Sequence, residues 1–196
     1  MGDSFTIGTG TTPEDSFPAA LTRLWSGSGR AVELRNPAAN GYRTDDLIAE
    51  ELPLVARFHP TLVTVLIGAN DIVAASTDER YRAQLRRIHS SIRTDAPAAA
   101  LYALPQPDWS LAPVATSFGT VTAIAARIAR FNVIAREEVE LAGGTFVDIF
   151  PLMREQAVRG MVAPDGLHPS AAAYAEWAAV LRELLQPGYL RPASSP

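Results

Sequence analysis

Three of the 196 residues are histidines, the side chain that titrates near neutrality without help, and one of them has the surroundings of a general base. In Pro164-Asp165-Gly166-Leu167-His168-Pro169 a carboxylate stands three residues before an imidazole, in a loop shaped by Gly and Pro at the mouth of a helix. Asp165 could accept a hydrogen bond from Nδ1–H of His168, fix the tautomer and leave Nε2 free to take a proton. The same spacing also suits a loop-capping Asp beside a surface His. His59, before an apolar run, and His89, on the polar side of a helical pattern, read as structural or solvated. None of the three has metal-site spacing such as H-E-x-x-H.

A base of this kind needs a nucleophile. Ser4 in Gly2-Asp3-Ser4 is followed by Phe5-Thr6-Ile7-Gly8-Thr9-Gly10 and then a helix from about Asp15, so its hydroxyl can stand at a turn over a sheet edge. Acyl transfer also needs donors aimed at the oxygen that becomes negative. The N–H of Gly41, the amide of Asn70 in Gly68-Ala69-Asn70-Asp71 and the N–H of Ser4 could supply them. Gly41 and Asn70 taken singly also read as turn formers. Set in the order Ser4, Gly41, Asn70, Asp165, His168 at C-terminal strand ends, they would converge on one crevice.

Two alternating periodicities must position these residues. Short β-rich runs at Ala31–Leu34, Leu62–Ile67, Ala99–Leu104 and Thr145–Ile149 alternate with helical stretches, the signature of a largely parallel sheet between helices. Leu62–Ile67 is almost wholly apolar or β-branched and is expected at the centre. Tyr81, Leu85, Ile88 and Ile92 recur at helical spacing opposite a solvated face of Asp78, Arg82, Arg86 and Arg93. A longer helix is expected from about Thr120 to Ala142, with Val121, Ile124, Ile128, Ala135 and Val139 inward and Gly143-Gly144 as its stop. The last follows Ser170, carries Tyr174, Ala178, Leu181 and Leu185 on one stripe, and ends at Pro187. A single domain over 1–187 and a tail over 188–196 are expected.

Composition narrows the chemistry further. All 17 cationic side chains are Arg and none is Lys, which removes P-loops, Schiff bases and Ser-Lys dyads. With no Cys there is no thiolate nucleophile, disulfide or Cys-ligated zinc. A net charge of −4 lacks the basic footprint of nucleic-acid binding. No uninterrupted apolar run reaches transmembrane length. Met1–Thr6 fits the loose myristoylation pattern, though Ser4 has the better use above.

In these blocks the chain resembles the SGNH hydrolase superfamily, the GDSL-type lipases and esterases, over essentially its whole length. Gly2-Asp3-Ser4 is similar to the first family block, Gly41 to the second, Gly68-x-Asn70-Asp71 to the third and Asp165-x-x-His168 to the last. The resemblance implies a three-layer α/β/α sandwich with a mostly parallel sheet. It implies Ser4 as nucleophile, His168 as base oriented by Asp165, and Ser4, Gly41 and Asn70 as oxyanion donors. Ester hydrolysis without metal or organic cofactor is expected. Family members carry an apolar strand before the first block; this chain has Met1 there, so the sheet is expected to lack that strand. The expected substrate is a small ester, with Asp71, Ile72, Leu104, Trp109 and Phe118 at the pocket. Within the family a carbohydrate acetylesterase or lysophospholipase is the alternative, and outside it a non-catalytic binding protein on the same fold. The location is cytoplasmic as the sequence stands, or secreted if a signal peptide precedes it. A last rival places the nucleophile at Ser117 in Ala115-Thr116-Ser117-Phe118-Gly119, with Asp148 or Asp165 and His168, but Pro113-Val114 is a poor strand to lead into such an elbow.

Overall fold

In the computed structural model, which describes residues 1–185, strand β2 (Ala100–Ala103) is buried at every position. It lies between β1 (Leu62–Val65) and β3 (Thr145–Phe146), and both pairings are parallel. The apolar Leu62–Ile67 run therefore does not hold the centre expected of it. On the far side of β1 the only pairing among the described residues is a bridge from Gly2 to Leu66. Ala31–Leu34, expected as a strand, forms none, because no backbone among the described residues lies beside it to complete a ladder; Leu34 is 41% exposed. The expected tail at 188–196 and the Pro187 stop lie outside the described residues.

Nine α-helical segments surround this sheet: α1 (Ser4–Ile7), α2 (Phe17–Gly27), α3 (Thr44–Asp46), α4 (Leu52–Phe58), α5 (Ala69–Val73), α6 (Asp78–Asp95), α7 (Val121–Leu141), α8 (Phe150–Val158) and α9 (Ala171–Leu184) among the described residues. Helices α2, α8 and α9 pack as one layer, and α4, α6 and α7 as the other. This is the three-layer α/β fold expected. No helix among the described residues is long and apolar enough to cross a membrane.

The long helices follow from local sequence. Thr77 caps α6 by accepting from the Arg80 N–H at 3.2 Å, with Asp78 and Glu79 in the first turn and Arg93 in the last, each charge suited to its end of the helix dipole. Thr120 caps α7 in the same way, and Ser170 caps α9. The predicted stripes are buried, except that Val121 in the first turn of α7 is 42% exposed. The face of α6 read as solvated is partly covered by α7. Arg82 and Arg86 both reach the buried Glu138, at 2.8 and 3.0 Å, and His89 is sealed beneath them. Burial lowers the His89 pKa to about 4, so it packs as a neutral ring.

Candidate active site

The single turn α1 exists because its ends are capped. Asp3 Oδ1 accepts from the Phe5 N–H at 3.0 Å, and Gly8, in the left-handed region, returns its N–H to the Ser4 carbonyl at 3.1 Å. Ser4 is the first helical residue, so its own N–H has no intrahelical acceptor. The bridge from Gly2 to Leu66 ties this turn to the C-terminal end of β1.

At the other end of the chain the loop 163–169 folds on itself before α9. Ala163 N–H donates to the His168 carbonyl at 2.7 Å, and Asp165 Oδ1 accepts from the N–H groups of Leu167 and His168 at 2.9 and 3.0 Å. The second oxygen, Oδ2, lies 2.8 Å from His168 Nδ1, and His168 Nε2 lies 2.8 Å from Ser4 Oγ. Residues 4 and 168 thus meet. Phe5 packs against the imidazole with ring centroids 5.1 Å apart, which steadies its plane. Gly10 passes so close that a Cβ there would sit 2.6 Å from Asp165 Oδ2, at a φ of +86° that disfavours any side chain. Burial pushes the Asp165 carboxyl up. The N–H groups of Leu167 and His168 and the imidazole outweigh it, and the net pKa falls below the ordinary carboxylate value. Asp165 is therefore an anion at neutral pH and can hold a proton on Nδ1.

The third element comes from the end of β1. Gly68 turns the chain at φ +135°, against the Tyr81 ring, where a Cβ would lie 2.8 Å from the hydroxyl. This starts α5 and places Asn70 and Asp71 beside the loop 39–44. Asn70 Nδ2 donates to the Tyr42 carbonyl at 2.9 Å, which fixes the amide and leaves its second N–H available. The Gly41 N–H has no hydrogen-bond partner among the described residues, and Gly41 is exposed. Asn70 and the loop that carries Gly41 are joined to each other through that Tyr42 carbonyl.

The expected pocket residues divide. Asp71 is buried, and its two oxygens accept from Thr44 N–H at 2.9 Å and Thr44 Oγ1 at 2.6 Å, pinning the Gly41 loop to α5. Leu104 is sealed in the core at 2% exposure because it continues the buried β2. Ile72 and Trp109 are also buried, while Phe118, 46% exposed, meets Trp109 edge-on at 6.0 Å. Ser117 lies in a short 3-10 turn with no strand leading into it, so the rival elbow has no scaffold. Thr44, Tyr42, Phe5 and Gly10 escaped the sequence reading, since their roles depend on partners distant in the chain. Asp3 had a local signal, an Asp before a one-turn segment closed by Gly8.

Asp3 also carries a titration. It is fully buried, and burial pushes its pKa up to about 7, with the N–H groups of Phe5 and Gly68 pulling down and Asp71 and Glu51 pushing further up. An unfolded Asp titrates near ~3.9. Between about pH 4 and 7 the folded state therefore holds more protons at this site than the unfolded chain, and its contribution to stability falls as pH rises through that window. Asp3→Asn, which keeps an acceptor for the Phe5 N–H, is expected to flatten this fall. Thermal melts of both proteins from pH 4.5 to 7.5 check it; parallel curves would deny the carboxyl any such part.

A sequence profile of the GDSL-like lipase/acylhydrolase family matches residues 1–176. The chain belongs to this family. Solved structures of a lipase/acylhydrolase, a lipase and a carbohydrate esterase share its fold. The lipase/acylhydrolase from Enterococcus faecalis superposes with a TM-score of 0.76 at 20% identity, covering 99% of this chain and 96% of that one. An extracellular lipase from Streptomyces rimosus gives 0.69 at 23% identity, over 93% and 96%. A family 3 carbohydrate esterase from Clostridium thermocellum gives 0.71 at 19%, over 93% and 91%. No curated protein sequence matches this GDSL family member.

Proposed function

We propose that this GDSL family member is a serine esterase that cleaves carboxylic esters of short to medium acyl chain through Ser4, His168 and Asp165. The observation that carries the reading is the unbroken hydrogen-bond chain from Ser4 Oγ through the imidazole to the Asp165 carboxylate, 2.8 Å at each step. Family membership over residues 1–176 supports the reaction class.

In this mechanism His168 Nε2 takes the Ser4 proton as Oγ attacks the ester carbonyl, while Asp165 holds Nδ1–H and stabilises the imidazolium. The oxyanion accepts from the N–H groups of Ser4 and Gly41 and from the free N–H of the Asn70 amide. Collapse expels the alcohol, which takes the proton from Nε2, and leaves an acyl group on Ser4. Water, deprotonated by the same nitrogen, then hydrolyses the acyl-enzyme. No step calls for a metal or organic cofactor.

Acyl-chain preference follows from the limited apolar surface beside the His168 loop. The Val114 N–H donates to the Gly166 carbonyl at 3.3 Å, which sets the exposed Val114 along that loop. No long apolar insertion among the described residues covers it. Across p-nitrophenyl esters from acetate to dodecanoate, kcat/KM is expected to peak at or below the octanoate. A maximum at the dodecanoate would exclude the chain-length assignment, and no turnover of any member would exclude the esterase reading itself.

A further inference from the structure

The turn that presents Asn70 has a support that the reaction above leaves out. Between the end of β1 and α5 the chain passes through Ile67 and Gly68, and no side chain caps the first turn of α5. A helix of 5 residues gains little from its own hydrogen bonds, so its direction must come from tertiary contacts. The hydroxyl of Tyr81, in the first turn of α6, donates to the Ile67 carbonyl at 2.8 Å. No backbone N–H among the described residues reaches that carbonyl. The hydrogen bond is buried, and Tyr81 is 1% exposed.

The ring is as firmly placed as the hydroxyl. It stacks on Phe131 of α7, with centroids 3.9 Å apart and planes inclined by 11°. The Arg127 guanidinium lies over that Phe131 ring at 4.6 Å and pairs with Asp78 at the start of α6 at 3.1 Å, which ties the two helices at this point. The edge of the Tyr81 ring meets Gly68, where a Cβ would come within 2.9 Å of Cε2 and 2.8 Å of the hydroxyl oxygen. Two helices of 18 and 21 residues therefore set the place of the turn. Burial, with Asp71 and Asp3 nearby, holds the Tyr81 pKa well above the ordinary tyrosine value, so the hydroxyl stays a donor at neutral and mildly alkaline pH.

We propose that Tyr81 is a positioning residue for the Asn70 amide: its hydroxyl fixes the Ile67 carbonyl and its ring fixes Gly68, so the backbone that carries Asn70 has one place to be. Its part in turnover rests on the esterase reading, in which the free N–H of that amide meets the oxyanion. Asn70 is then held twice. The Tyr42 carbonyl fixes the amide against the loop 39–44 at 2.9 Å, and Tyr81 fixes the main chain beneath it. Among the described residues the Tyr81 hydroxyl is hydrogen-bonded to neither Ser4 nor His168, so its loss should reach the chemistry through Asn70. A donor that drifts from its place costs rate rather than substrate binding, because the contact matters only once the carbonyl oxygen is charged.

The test uses the full chain and Tyr81→Phe, which keeps the ring and removes the hydroxyl. In the otherwise unaltered protein, kcat toward a p-nitrophenyl ester is expected to fall about tenfold with KM changed far less. In the Asn70→Ala background the same substitution is expected to change kcat by less than about twofold, since no amide is left to position. A merely structural loss would lower both alike. Phe131→Leu, which keeps the hydroxyl and removes the ring stacked on Tyr81, supplies a second variant, with a smaller fall that also vanishes without Asn70. The second readout needs no substrate. Relaxation dispersion at the Asn70 side-chain amide is expected to be flat in the unaltered protein and to appear in Tyr81→Phe, as the turn exchanges between positions on the μs–ms timescale. Equal falls in kcat with and without Asn70, or flat dispersion in both proteins, would overturn the proposal. Because the amide is read without ester, failure of the esterase reading and failure of the positioning role remain distinct results.

Discussion

Ser4→Ala is expected to lower kcat toward p-nitrophenyl acetate by on the order of 10⁶-fold and to abolish the burst of p-nitrophenol that marks acyl-enzyme formation. The size follows from how the three residues act as a unit. The imidazole at 2.8 Å has no other nucleophile to deprotonate, and the oxyanion donors alone retain only a small residual catalysis. The fold should survive. Among the described residues the Ser4 side chain makes no hydrogen bond other than that to His168, and the caps of α1 come from Asp3 and the Gly8 backbone. Burst kinetics and circular dichroism on both proteins make the comparison. A folded variant that still shows a full burst would move the nucleophile elsewhere.

The second large effect belongs to Asn70. Asn70→Ala is expected to lower kcat by about 10² to 10³-fold with KM changed far less, because the contact it loses forms only once the carbonyl oxygen carries charge. The amide is preset for that contact: one N–H is held by the Tyr42 carbonyl at 2.9 Å, so the other has a fixed direction. The loop carrying Gly41 is held separately by the two hydrogen bonds from Thr44 to Asp71, so it should keep its place when Asn70 is truncated. Steady-state kinetics with the preferred p-nitrophenyl ester read the split. A fall in kcat of less than threefold would remove Asn70 from the oxyanion site.

These two variants also separate binding from chemistry. A protein that kept the fold as a non-catalytic binding module would turn over no ester, and neither substitution would alter a rate. In the esterase both rates fall, by amounts that differ about a thousandfold or more, since one removes the bond-forming atom and the other a single donor.

The sequence by itself determined the helices α6, α7 and α9 and their apolar stripes, because helical periodicity is local and each residue's neighbours lie within four positions. It also determined the order of the functional blocks, with Asp165 placed to orient His168 three residues on. The tertiary structure alone decided the rest. The edge position of β1 and the failure of 31–34 to form a strand depend on which backbones come to lie side by side, which no local pattern encodes. His89 reads as polar-facing on its own helix and is buried because α7 covers it. The sequence gives no sign that Asp71 holds Thr44, 27 residues away. The meeting of Ser4 with His168, 164 residues apart, rests on the chain crossing the sheet repeatedly and returning to the same rim, a property of topology rather than of either segment.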